Sequence, residues 1–237
     1  SIGEDKGAVL TTSVEQALAN KAEGRLSVFL GLENGSAIGD SLDELRRFYD
    51  AGVRYVTLCH TGNNQICDSC ATGEKLWNGL SPFGREVVAE MNRIGMMVDV
   101  SHISDDAFYD VIKCSSRPVV ATHSCCRALA DHPRNLTDDM IRKLSQRGGV
   151  IGVNFETTFL GSEKDCGIAA VIRHLEYLHK VGGEECLALG SDFDGIKGNP
   201  ELRGVQDMEH LWEALHRNGW TQRVLDKLFY SNALRFY

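Results

Sequence analysis

Apolar residues gather in short runs that barely alternate, at 26–32, 53–59, 96–100, 118–122, 149–155 and 186–190. Rich in Val, Ile and Leu, these runs read as strands covered on both faces. The stretches between them are amphipathic and carry helix signals. Ser41 with Glu44 forms a capping-box pattern ahead of a face made by Leu42, Leu45, Phe48 and Tyr49. Ser81-Pro82 opens a second helix, with a stripe of Phe83, Val87, Val88, Met91 and Ile94 closed by Gly95. Further helices are predicted at 137–147 and 169–181, each ended by a glycine pair, and near 207–217 and 221–233. Such alternation predicts a parallel sheet, closed or doubly wound. No Gly-x-Gly-x-x-Gly follows the first strand and no Gly-Lys-Ser/Thr occurs, so nucleotide-binding versions lose support. A closed barrel has eight strands, and only six such runs are present.

The chain has 237 residues, of which 43% are hydrophobic and 24% charged, the composition of one globular domain over 1–237. A net charge of −8 without a basic stripe argues against nucleic acid as a partner. No apolar run is long enough for a membrane span, and Ser1–Lys6 has no apolar signal core. The eight cysteines are not spaced as a small disulfide scaffold. Cys67-x-x-Cys70, in a Gly/Asn/Ser-rich loop, reads as loop cysteines or a local bridge, and the compartment stays open.

Chemistry collects where the strands end. Glu33, His60, His102, His123 and Asp192 each stand just beyond an apolar run. A single histidine there is more often a hydrogen-bonding residue than a ligand. Acids and imidazoles at matching ends of successive strands have no packing role, since such groups are costly when buried unpaired. Barrel active sites are built at that end. Two imidazoles with two carboxylates suit zinc or a similar divalent ion, which predicts metal-assisted hydrolysis. His174, His179, His210 and His216 fall within amphipathic helices and are expected at the surface or an interface, and His132 lies in a loop. Asn135-Leu136-Thr137 is formally a glycosylation sequon, but Asn and Thr at a helix start read better as caps.

Taken in order, a set of motifs resembles the membrane (renal-type) dipeptidases, metallopeptidases of the amidohydrolase-like barrels. They are Gly31-Leu32-Glu33-Asn34-Gly35, Thr57-Leu58-Cys59-His60, Gly79-Leu80-Ser81-Pro82-Phe83-Gly84, Asp99-Val100-Ser101-His102 and Thr122-His123-Ser124. Further on come 133–139, Val153-Asn154-Phe155 and Gly190-Ser191-Asp192-Phe193-Asp194-Gly195. The resemblance implies a metal-dependent (β/α)8 TIM barrel cleaving dipeptides by a hydroxide that bridges two zinc ions. It makes Glu33 the bridging carboxylate, and His102 and His123 the remaining ligands of the second ion. Asp192 becomes a ligand of the first ion that also moves a proton. His60 takes the place of the residue that polarises the scissile carbonyl, and Arg134 that of the clamp on the substrate carboxylate. Asp194 is expected to support a ligand or shape its loop rather than bind an ion itself.

The family pattern also carries a His-x-Asp pair at the end of the first strand, and this sequence has none. In the family's order the run at 26–32 is the third strand, so the expectation is a barrel lacking its first two strands. A missing N-terminal segment or a neighbouring copy would then cover the gap, and the chain alone would hold one zinc ion or none and be nearly inactive. Relatives also imply a homodimer and an exported, periplasmic or cell-surface location. Two other readings stay open: a non-catalytic barrel remnant that binds peptide, metal or a partner, and an amidohydrolase acting on cyclic amides.

Overall fold

In the computed structural model, the structure describes residues 7–162 and 164–237. The signal-core reading of Ser1–Lys6 therefore lies outside the described residues. The chain forms two compact units, Ser1–Arg117 with Tyr237, and Pro118–Phe236.

The first unit opens with strand β1 (Ala8–Leu10), helix α1 (Val14–Ala22) and strand β2 (Leu26–Val28), with β1 and β2 paired in parallel. Strand β3 (Leu30–Glu33), helix α2 (Leu42–Asp50), β4 (Val53–Thr57), α3 (Pro82–Ile94), β5 (Met97–Asp99) and α4 (Asp105–Cys114) follow. β3, β4 and β5 pair in parallel in that order. The run at 26–32 is thus two strands, one in each sheet, parted at Phe29. Sequence periodicity misses β1 because three residues are too few to show a pattern. The β3–β4 pair is close because Gly31 has no side chain: a Cβ there would lie 1.9 Å from the Tyr55 ring.

Caps explain where the helices start. Ser81 accepts the Gly84 N–H at 2.8 Å with Pro82 at the first turn, and Gly95 ends α3 in the left-handed conformation at φ 83°. The capping box at α2 is only half made. Ser41 accepts the Glu44 N–H at 3.3 Å, but the Glu44 carboxylate pairs with Arg47 at 2.7 Å. Leu45 of α2, Val56 of β4, Val87, Val88 and Met91 of α3 and Val98 of β5 are buried in the core.

The second unit holds β6 (Val120–Ala121), α5 (Asp138–Gln146), β7 (Val150–Val153), α6 (Thr157–Leu160), α7 (Ile168–Gly182), β8 (Leu187–Leu189), α8 (Met208–Arg217), α9 (Gln222–Asp226) and α10 (Asn232–Phe236). β6, β7 and β8 are again parallel neighbours. The helix expected over 221–233 is interrupted by a π turn at Lys227–Ser231. His174 is buried, not at a surface: its Nδ1 accepts the Cys126 N–H at 3.1 Å and its Nε2 lies 3.1 Å from the Leu160 carbonyl. Burial lowers its pKa. All eight cysteines are free thiols, so Cys67 and Cys70 form no local bridge. No helix among the described residues is long and apolar enough to cross a membrane.

Candidate active site

In the first unit the C-terminal ends of β3, β4 and β5 bring three of the expected residues together. Glu33 ends β3, and Asn34 at φ 88° turns the chain out of the strand, its side chain accepting the Ser36 N–H at 3.1 Å. Glu33 Oε1 lies 3.1 Å from His102 Nε2 and 3.9 Å from His60 Nε2. The two imidazole rings stand 4.3 Å apart. His102 is nearly enclosed, whereas Glu33 and His60 keep access to solvent, with side chains 45% and 41% exposed. Two atoms bound to one tetrahedral ion at zinc–ligand distances stand roughly 3.3–3.5 Å apart. The 3.1 Å spacing of Glu33 Oε1 and His102 Nε2 is close to that, so this carboxylate–imidazole pair fits a borderline divalent ion.

His102 adopts φ 71°. A non-glycine residue holds this left-handed conformation only where its surroundings impose it, and such positions concentrate at functional sites. The surroundings here are the loop 61–80. Ser69 Oγ donates to the His60 carbonyl at 2.5 Å and reaches the His102 carbonyl at 3.4 Å. Cys70 N–H donates to that His102 carbonyl at 2.9 Å. The loop is itself gathered by Asp68, a buried carboxylate that accepts N–H groups of Leu76, Trp77 and Gly79 at 2.9–3.1 Å. Beneath, Asp99 accepts the Thr57 hydroxyl and the Ser101 N–H. Cys67, in the same loop, is pushed up in pKa by burial and by the neighbouring Cys59. It has the environment of an inert packed thiol.

In the second unit, His123 follows β6 and is buried, with Thr122 Oγ1 2.7 Å from its Nδ1. A hydroxyl partner on one ring nitrogen orients the imidazole, as such partners do for metal-binding histidines. Arg134 is also buried: its Nη2 donates to the His123 carbonyl at 3.1 Å, and its guanidinium lies 5.4 Å from the centre of the Phe159 ring. His132 accepts the Arg134 N–H at 3.1 Å. Burial, and then the Arg134 charge, lower the His132 pKa. Asp192, beyond β8, adopts φ 57° and accepts Asn154 Nδ2 at 3.1 Å. Asp194 is exposed in the following turn.

Asn135 is fully buried; its Oδ1 accepts the Cys125 N–H, and its Nδ2 donates to the carbonyls of Ala130 and Phe159. It is neither a helix cap nor open to a glycan. Thr137 caps α5 instead, accepting the Met140 N–H at 3.3 Å. Sequence reasoning also passed over Asp68 and Ser69, and gave Asn154 a place in a motif but no role. The first two gave no signal, because loop polar residues are ordinary. Asn154 did, since it is the polar residue beyond β7, whose end, unlike those of β3 to β6 and β8, carries no acid or histidine.

Parallel strands flanked by helices, with carboxylates and imidazoles at the carboxyl ends of the strands, place the chain among α/β proteins carrying metal-ligand chemistry at their strand tips. The model of one family, membrane dipeptidase (peptidase family M19), matches residues 4–237. The chain belongs to that family. It is 36% identical over 228 residues to an uncharacterized dipeptidase of Schizosaccharomyces pombe, covering 92% of this chain and 54% of that protein. It is 35% identical over 218 residues to an uncharacterized protein encoded in the pqqA 5' region of Klebsiella pneumoniae, covering 89% of this chain and 80% of that protein. Among solved structures it is similar to a metallo peptidase from Rhodobacter sphaeroides liganded with a phosphinate mimic of the dipeptide L-Ala-D-Ala. The TM-score is 0.90 at 30% identity, over 97% of this chain and 68% of that one. The chain spans about half the length of the fission yeast relatives it matches.

Proposed function

We propose that the protein is a metal-dependent dipeptidase and that its ion is zinc. The observation that carries this reading is the pairing of Glu33 with His102 at 3.1 Å, with His60 3.9 Å from the same carboxylate oxygen, in a member of the membrane dipeptidase family. By family resemblance, Glu33, His102 and His123 are read as the ligands of one ion. Without a His-x-Asp pair, Asp192 and Glu33 alone would hold a second ion more weakly, and residues 1–237 would form one barrel domain. When bound, zinc would polarise the scissile carbonyl and make water nucleophilic at neutral pH.

The residues of the chain supply the rest. His60, next to Glu33 and open to solvent, would donate a hydrogen bond to the carbonyl oxygen as negative charge develops there. Asp192 would take the proton from the attacking water and return it to the leaving amine. Arg134 presents a planar guanidinium suited to the substrate's terminal carboxylate. Recognition of a terminal carboxylate within a small site favours dipeptides over longer peptides. An exported or surface-held location and a homodimeric state rest on family resemblance alone.

The deciding assay measures hydrolysis of a panel of dipeptides and matched tripeptides, before and after chelation and with zinc restored, alongside metal content per chain. Dipeptide cleavage that is lost on chelation and regained with zinc is expected. A protein that holds zinc yet cleaves no dipeptide would favour the non-catalytic remnant. Cleavage of cyclic amides in an Arg134→Ala variant would favour the amidohydrolase.

A further inference from the structure

Strand β7 is apolar and buried throughout, yet it leads into a fully buried amide, Asn154. Asn154 Oδ1 accepts the Glu156 N–H at 2.6 Å. A backbone N–H requires an acceptor, so this contact fixes which way round the amide lies. Its NH2 group is then committed to Asp192, donating to Oδ2 at 3.1 Å. Asp192 is held in the left-handed region at φ 57°, with its carbonyl accepting the Gly195 N–H at 3.0 Å. Asp192 Oδ1 packs over Gly195 in space that only glycine leaves open, because a Cβ there would stand 2.1 Å from it.

We propose that Asn154 is the positioning residue for Asp192: its amide ties Oδ2 and so presents Oδ1 as the oxygen left for an ion and for the proton of the reaction. The proposal rests on the reading of Asp192 as an ion-binding, proton-moving carboxylate. A fixed donor to one oxygen of a ligating carboxylate sets its rotamer, which is how outer partners tune metal sites. The competing role for Asn154 is purely local, the closing of the turn to Glu156.

Two substitutions separate these roles. Asn154→Ser keeps a side-chain oxygen for the Glu156 N–H but is too short to reach Asp192, whereas Asn154→Ala removes both bonds. Zinc affinity of each purified protein is measured by competition with a chromophoric chelator, with kcat and KM for one dipeptide and a melting curve beside it. Positioning predicts that both variants lose about 10–100-fold in zinc affinity and a similar factor in kcat, with KM little changed. Asn154→Ser, which keeps the bond to Glu156, should melt above Asn154→Ala. If Asn154→Ser binds zinc and turns over like the wild type while Asn154→Ala does not, Asn154 only closes its turn and the proposal fails. A wild type that binds zinc and works, with both variants unimpaired, overturns the proposal alone. A wild type that binds no zinc overturns the reading of Asp192 and the proposal with it.

Discussion

Thr57 donates its hydroxyl to Asp99 Oδ2 at 2.6 Å across the paired strands β4 and β5, with both residues closed off from water. The bond fixes the end of β5 at the point where the chain turns toward His102, because the other Asp99 oxygen accepts the Ser101 N–H at 3.0 Å. Thr57→Val keeps the shape and removes the donor from a buried carboxylate. A loss of about 2–3 kcal/mol in unfolding free energy is expected. Urea titration of the two proteins measures it, and equal midpoints would show that the carboxylate is satisfied without Thr57.

Asp68 organises the loop 61–80 from inside, since its carboxylate accepts three backbone N–H groups of Leu76, Trp77 and Gly79. Its own carbonyl accepts the Ser104 N–H at 2.8 Å, which joins the loop to the start of α4. Asp68→Ala removes all the side-chain bonds at once, so the segment 69–80 should exchange its amide hydrogens faster while strands β4 and β5 keep theirs. Hydrogen exchange read by mass spectrometry tests this. Activity should fall with it, because Ser69 holds the backbone of His60 and His102.

The periodic parts of this molecule could be read directly from the sequence. The helix over Pro82–Ile94 announces itself with Ser81, Pro82 and Gly95, and its stripe of Val87, Val88 and Met91 is the face that is buried. Glu33, His102 and Asp192 stand out because they interrupt apolar strands, and the structure puts Glu33 beside His102. Other features depend on the fold. β1 is too short to carry a period, and the division of 26–32 at Phe29 follows from pairing partners far along the chain. His174 looks like one more helical histidine, and only the Cys126 N–H and Leu160 carbonyl meeting its two nitrogens make it a core residue. Asn154 falls between these cases: visible by position, but given a role only by the approach of Asp192.

Glu90 gives the first unit an acid-sensitive tie. Arg93 bonds both of its carboxylate oxygens at 2.6 and 2.7 Å, and Arg46 Nε adds a further bond at 2.6 Å. The Arg93 and Arg46 bonds hold its pKa down at about 2, from an ordinary value of 4.5. A depressed carboxylate contributes its full stabilisation above the unfolded value and loses it as pH falls through the folded one. Its share is therefore complete above 4.5 and disappears between there and about 2. Glu90→Gln should lower stability at pH 7 and make the fall of stability over that acid interval shallower than in the wild type. Unfolding midpoints collected across the interval decide it, and parallel curves for the two proteins would remove Glu90 from the acid response.

The second unit brings its strand ends together through glycine. A Cβ on Gly190 would stand 2.0 Å from the Thr122 carbonyl oxygen, and one on Gly152 would stand 2.2 Å from the same atom. The obstacle is backbone in both cases, so no side chain can swing aside. Thr122 directly precedes His123, and Gly190 lies two residues before Asp192, so forcing these strands apart displaces residues assigned to the site. Gly190→Ala should cost about 1–3 kcal/mol or more by overpacking, and it should weaken zinc binding as well. Gly62→Ala is the matched control, because nothing lies within 4 Å of the added carbon. That surface change should stay within about 0.5 kcal/mol of the wild type. Thermal unfolding with and without zinc reads both effects, since a bound ion raises the melting temperature only where its site is intact. A Gly190→Ala protein with unchanged melting and an undiminished zinc shift would mean that the strands part without moving His123 or Asp192.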